Sequence, residues 1–133
     1  MADTSISFDH VHLVSKDPHA TARWYVDTLG GEIGRSGDVH WAPQVYVSLG
    51  GAMVIVRGER PTERAIDRDS LQWGVDHFGL QVKGDFDGFC AGLRGKGVRF
   101  TMDPTQANPT TRIAFIQAPD GVGVELVSRK DRP

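Results

Sequence analysis

Phe8-Asp9-His10-Val11-His12-Leu13-Val14, near the start of the chain, recurs as Val75-Asp76-His77-Phe78-Gly79-Leu80-Gln81-Val82. Each copy alternates from residue to residue, the two-residue period of a β-strand. Val11 and Leu13 share one face of the first copy, with His10 and His12 on the other. In the second copy Phe78, Leu80 and Val82 share a face, and His77, Gly79 and Gln81 lie opposite. His10 and His77 thus hold one position in two copies of the same strand, each turned away from the apolar stripe. A single such histidine is most often an ordinary core or surface residue. Two at equivalent repeat positions point to metal ligation, the obvious use of paired imidazoles.

The segments after the two copies match as well. After the first, Asp17 suits a helix N-cap and Pro18 the first helical position, with Ala20, Trp24, Val26 and Leu29 as the apolar stripe and Gly30-Gly31 as the stop. Glu32 to Ser36 is a short strand candidate closed by a Gly37-Asp38 turn. Gln44 to Leu49 alternates, Gly50-Gly51 turns the chain, and Ala52 to Arg57 is a further strand. After the second copy comes a helix over Asp85 to Lys96 on Phe86, Phe89, Cys90 and Leu93, stopped by Gly95 or Gly97. Val98 to Thr101 forms a short strand, Asp103 to Pro109 a polar loop, and Arg112 to Gln117 a strand. Pro119-Asp120-Gly121 is a turn, and Val122 to Val127 the last strand. Both halves are β-α-β-β-β. The fold class expected is α+β: one domain over 1–133, with module one about 6–57, a charged linker 58–73, and module two about 74–128.

Composition narrows the function. A chain of 133 residues, 39% hydrophobic and 24% charged, suits a soluble globular domain. A net charge of −2 without a long basic run argues against nucleic acid or an anionic membrane surface as partner. No apolar run approaches the roughly 20 residues of a membrane span, and residues 1–7 lack a signal pattern. The lone Cys90 cannot form an internal disulfide, so the cytoplasm is the expected compartment, and its apolar neighbours suit a buried structural thiol.

The last strand adds a carboxylate. Val124 and Leu126 share one face, so Glu125 points the other way, onto the face that carries His77 by the repeat. A carboxylate amid apolar residues needs a partner, since burying it unpaired costs several kcal/mol or shifts its pKa. His10, His77 and Glu125 together make a two-histidine, one-carboxylate set suited to Fe, Mn, Zn, Ni or Co with open positions.

The segments FDHVHLVSKDPHATARWYVDTLGGEI, VDHFGLQV and RIAFIQAPDGVGVELV span nearly the whole chain. In them the sequence resembles the vicinal oxygen chelate superfamily. That superfamily holds glyoxalase I, methylmalonyl-CoA epimerase, type I extradiol dioxygenases, fosfomycin-resistance thiol transferases and bleomycin-resistance proteins. The resemblance implies paired βαβββ modules in an open, cupped mixed sheet with the helices outside, around a divalent metal held at His10, His77 and Glu125. It departs at one place. Laying GGAMVIVRG over DGVGVELVS sets Ile55 opposite Glu125, where glyoxalase I and the epimerase carry a fourth ligand. Isoleucine cannot ligate, so three ligands remain, as in the dioxygenases.

Other residues on the same faces are candidates to shape the site. His12, one pleat from His10, is a candidate general base, a support for a ligand, or a plain strand residue. Tyr46 and Gln44 lie opposite the Val45–Val47 stripe, placed either to meet a substrate or to face solvent. Gln81 shares the His77 face, Trp41 and Trp73 flank loops as candidate pocket walls, and Arg57 reads as a surface charge. The function expected is a metal-dependent enzyme of the glyoxalase or dioxygenase type, acting on a small molecule chelated through two oxygens. The alternative is a metal-free protein that sequesters a drug or other ligand, of the bleomycin-resistance type. Exposed sheet edges and the resemblance both imply a homodimer.

Overall fold

The computed structural model describes residues 4–64 and 73–130; positions 65–72, most of the second half of the expected linker, lie outside the described residues. The chain forms two compact units, 1–63 and 64–133. In the first, β1 (His10–Ser15), α1 (Pro18–Leu29), β2 (Glu32–Val39), β3 (Ala42–Leu49) and β4 (Ala52–Gly58) follow in order. In the second come β5 (His77–Gln81), α2 (Phe86–Gly95), β6 (Phe100–Asn108), β7 (Thr111–Gln117), a short 3-10 turn at Pro119–Gly121, and β8 (Gly123–Arg129). Each unit is βαβββ, and the class is α+β.

Both sheets have four strands, in the orders β1-β4-β3-β2 and β5-β8-β7-β6. β1 runs parallel to β4 and β5 parallel to β8, while the remaining neighbours are antiparallel. The first strand of each unit therefore lies against its last, which is what the crossover helix allows.

One face of each sheet makes the core. In the first unit Val45, Val47, Val54 and Val56 are at most 2% exposed, together with Ala22 and Tyr25 of α1. In the second, Ala114, Ile116, Val124 and Leu126 are buried, as are Phe86, Cys90 and Leu93 of α2. Burial also pushes the Cys90 thiol pKa up, as suits a structural cysteine.

Both helices start where the caps direct. Asp17 accepts from the Ala20 amide at 3.2 Å and Asp85 from the Gly88 amide at 3.0 Å. The buried stripe of α1 is rotated from the one expected: Pro18, Thr21, Ala22, Tyr25 and Thr28 face inward, and Ala20 is exposed. Thr21 can turn inward because its hydroxyl lies 2.6 Å from that of buried Ser15.

The edge strands depart most from expectation. β2 runs straight through Gly37-Asp38, and the chain turns at His40-Trp41 instead, with φ of 49° and 65°. Both turn residues are left-handed, as a two-residue hairpin twisted like its strands requires. β6 covers Phe100–Asn108 where a loop was expected, and passes through Pro104. It is an edge strand, so the missing proline N–H need cost no ladder bond.

Between α1 and β2, Gly30 caps the helix at φ 76°. Gly31 is required for another reason: a Cβ there would stand 2.9 Å from Val47 Cγ1 and 3.2 Å from the Ser48 carbonyl. Gly37 is the contrast, since a Cβ there meets nothing within 4 Å. Gly31→Ala should cost about 1–3 kcal/mol of stability through overpacking, and Gly37→Ala less than about 0.5 kcal/mol. Denaturant melts of the two variants check this, and equal costs would contradict it.

Candidate functional site

In the first unit the face of the sheet opposite α1 carries the polar groups. The ladders set them in rows across the strands. His10 pairs with Met53, and Met53 with Ser48; His12 pairs with Ile55, and Ile55 with Tyr46; Val14 pairs with Arg57, and Arg57 with Gln44. His10 and His12 stand edge to face with ring centroids 5.8 Å apart, on one face as the alternation required. His10 Nδ1 lies 2.6 Å from Asp9 Oδ2.

The second unit repeats the scheme with different occupants. His77 pairs with Gly123 and Gly79 with Glu125, whose other neighbour is Phe115. Each functional side chain thus has a glycine beside it in the parallel ladder. At Gly123 a Cβ would come within 3.3 Å of His77 Cβ, so that glycine makes the room the imidazole uses. Between the two glycines the diagonal contact closes: His77 Nε2 lies 3.0 Å from Glu125 Oε1. Asp76 holds the other ring nitrogen, with Nδ1 to Oδ2 at 2.8 Å, and Phe115 packs edge-on at 4.8 Å. Because a carboxylate only accepts, the Asp76 contact puts a proton on Nδ1 and aims Nε2 at Glu125. Asp76 above all, and Glu125 with it, raise the His77 pKa.

Ile55 and Glu125 occupy equivalent positions. Each lies in the last strand of its unit, across from the residue two beyond the repeated histidine, and Ile55 is 5% exposed. Among the described residues, no three His, Cys, Asp or Glu side chains gather into a group that could hold a metal. The expected ligand set takes His10 from the first unit and His77 with Glu125 from the second.

Arg57 is not the surface charge that its position suggested. Its side chain is 12% exposed and forms a two-pronged ion pair with Glu63, at 2.7 and 2.5 Å. That pair holds the Glu63 carboxyl down at about 2, helped by the Arg60 amide. Arg60 in turn donates to the Val39 and His40 carbonyls at 3.2 and 3.3 Å, bracing the left-handed turn. The start of the expected linker is therefore tied into the first unit. These charges reach His12, whose pKa is lowered first by partial burial and then by Arg57, His10 and Arg60. His12 is thus biased to the neutral form, which a base requires.

Gln44 is buried and donates from Nε2 to the Tyr46 hydroxyl at 3.0 Å. Both line a cleft of about 290 Å³ with residues 35–39 of β2. Gln81, at the end of β5, is exposed beside Val127. Trp41 forms the hairpin tip at 96% exposure, outside the residues that line the cleft, and Trp73 is likewise open. Sequence reading missed Arg35, whose guanidinium lies 4.5 Å over the Tyr46 ring. The signal was hidden by an irregularity: Ile33 pairs with Val47 and Ser36 with Val45, so Gly34 and Arg35 together oppose Tyr46.

Comparison with known proteins gives these faces a context. The probable lactoylglutathione lyase of Synechocystis sp. is 28% identical over 135 residues, covering 92% of this chain and 97% of that one. The lactoylglutathione lyase of Escherichia coli O157:H7 is 28% identical over 122 residues, covering 73% and 89%. A crystal structure of a glyoxylase/bleomycin resistance protein/dioxygenase domain from Frankia sp. EAN1pec superposes with a TM-score of 0.77 at 24% identity, covering 99% and 96%. A family model matches residues 7–126, and by that match the chain belongs to the glyoxalase/bleomycin resistance protein/dioxygenase superfamily.

Proposed function

We propose that this protein is a divalent-metal-dependent enzyme of the glyoxalase or dioxygenase type, with His10, His77 and Glu125 as ligands. Its substrate would be a small organic molecule chelated through two adjacent oxygens. The observation that carries the reading is the repeated Asp–His pair. Asp9 and Asp76 each engage Nδ1 of the histidine that follows, at 2.6 and 2.8 Å, which leaves Nε2 of both rings as the donor atom. A carboxylate behind the imidazole fixes its tautomer and raises its basicity, the usual support of a ligating histidine. Two imidazoles and a carboxylate are donor types that suit such an ion. Nε2 of His77 and an oxygen of Glu125 already face each other at hydrogen-bond distance. A proton on Nε2 makes that approach favourable, and a metal ion could take the proton's place.

Two neutral imidazoles and one carboxylate leave a divalent ion with a net charge of +1. A Glu at position 55 would bring it to zero, so beside Ile55 a bound ion would be the stronger Lewis acid. Held by these residues, the ion would supply polarisation of a chelated carbonyl or enolate, or a meeting point for O2 and a catecholate. The chain's own residues do the rest. His12, biased to neutrality, accepts a proton from the substrate, and Tyr46, fixed by Gln44, presents its hydroxyl for a substrate oxygen. The rival reading, a metal-free sequestering protein, draws on Ile55. Elemental analysis that found no bound divalent ion after loading would favour it.

The donor geometry makes metal affinity the first quantity to measure. His77→Ala or Glu125→Ala should abolish tight divalent-metal binding in a calorimetric titration. His12→Ala and Asp76→Asn should weaken it only about 10–100-fold, as for groups behind the ligands. Ile55→Glu should tighten it, and a Glu125 variant that binds like the parent would end the assignment. The metal-free protein offers a separate check. His77 should titrate above 6.5 and His12 below it, read from imidazole nitrogen shifts by NMR. The raised His77 contributes stability that is complete below 6.5 and is lost as pH climbs through its folded value. The lowered His12 works oppositely, favouring the fold above 6.5 and losing that contribution as pH falls. The reverse order of titration would contradict this electrostatic picture.

A further inference from the structure

The cleft on the β2–β3 hairpin carries a cation, Arg35, that the metal reading does not use. It is bordered by Arg35, Gln44, Tyr46 and the run from Ser36 to Val39. The extra residue in β2 sets Arg35 on the same face as Tyr46, and Gly37 pairs with Gln44 on that face. Local insertions of this kind re-aim a side chain beside a site.

We propose that this cleft is a subsite for the carboxylate, or a similar planar oxyanion, of a small ligand. Arg35 uses only the π-face of its guanidinium, stacked 4.5 Å from the Tyr46 centroid, and has no ion-pair partner among the described residues. Its in-plane N–H groups are left for a two-oxygen acceptor, the geometry in which arginine binds carboxylates best. Tyr46 adds a second donor. Its oxygen accepts from Gln44 Nε2 at 3.0 Å, so its own O–H is directed elsewhere. Gln44 is 6% exposed, so this donor is held by a buried group and not by solvent. Among the described residues Asp38 is the only acid lining the cleft; its pairing with Pro43, one residue out of step with Gln44, puts its side chain on the opposite face. Gly37 supplies the room, because no heavy atom lies within 4 Å of where its Cβ would be. A volume of about 290 Å³ suits a molecule of roughly benzoate size or a little larger.

Within the first unit the subsite is linked to the candidate base. His12, Ile55, Tyr46 and Arg35 form one row across β1, β4, β3 and β2. With strands roughly 4.8 Å apart, Tyr46 stands about 10 Å from His12. A substrate anchored by its carboxylate at Arg35 would lie over Ile55 and present its other end toward His12. This assignment rests on the metal-enzyme reading only in treating the ligand as the substrate.

The test uses the full chain, benzoate as probe and benzamide as its neutral match, with NMR of the Arg35 Nε–H and the Tyr46 ring. Benzoate should shift both signals saturably and benzamide should not. Arg35→Met should weaken benzoate binding about tenfold or more, the loss expected for a charge-assisted bond. Gly37→Val should weaken it comparably by filling the cleft with Arg35 still present. His77→Ala should bind benzoate as the parent does. Equal shifts from benzoate and benzamide, or an Arg35→Met variant with parental affinity, would overturn the subsite. Binding lost in His77→Ala but kept in Arg35→Met would place benzoate on the metal instead, overturning the subsite while leaving the metal reading intact.

Discussion

The parallel pairing of each unit's first strand with its last is the constraint on which the site depends. It sets β5 against β8, so that His77 and Glu125, 48 positions apart in sequence, meet across one ladder step. The pairing alone would crowd them. Gly123 beside His77 leaves the space in which the imidazole reaches diagonally to the carboxylate. In the first unit the same two positions are filled by Met53 and His12, and Ile55 stands where Glu125 would be. Duplication thus supplied two frames, and the side chains in the ladder made them chemically unequal.

That inequality extends to the electrostatics. The second unit surrounds its histidine with carboxylates, Asp76 and Glu125, which favour the charged ring or a bound cation. The first partly buries His12 and sets Arg57, His10 and Arg60 near it, all of which favour the neutral ring. Two histidines on equivalent faces are pushed to opposite sides of 6.5. Arg57 can stand on this face because Glu63 neutralises it, and Glu63 is placed by the residues just after β4.

Much of this was legible in the sequence, and the reasons are specific. The period-two alternation of His10 to Val14 and His77 to Val82 assigned faces correctly, since each strand has one side in a core. The Ile55–Glu125 equivalence also emerged from the repeat. Edge strands were harder. β2 is exposed along its length and β6 nearly so, and neither carries an apolar alternation to mark its extent. The turn at His40-Trp41 lacks the usual glycine because Arg60, some 20 positions on, holds its carbonyls. Arg35 was missed because the irregularity in β2 breaks the alternation that would have placed it beside Tyr46. The inward turn of Thr21 depended on Ser15, a contact no helical stripe reveals.

The central claim is that the Nε2 atoms of the two repeated histidines, each backed by an aspartate on Nδ1, hold a divalent ion together with Glu125. Anomalous diffraction from crystals of the metal-loaded protein tests it most directly. The account predicts one peak about 2.0–2.3 Å from Nε2 of His10, Nε2 of His77 and an oxygen of Glu125, with Asp9 and Asp76 still on Nδ1. A peak bound through Nδ1, or one that leaves out Glu125, would contradict it.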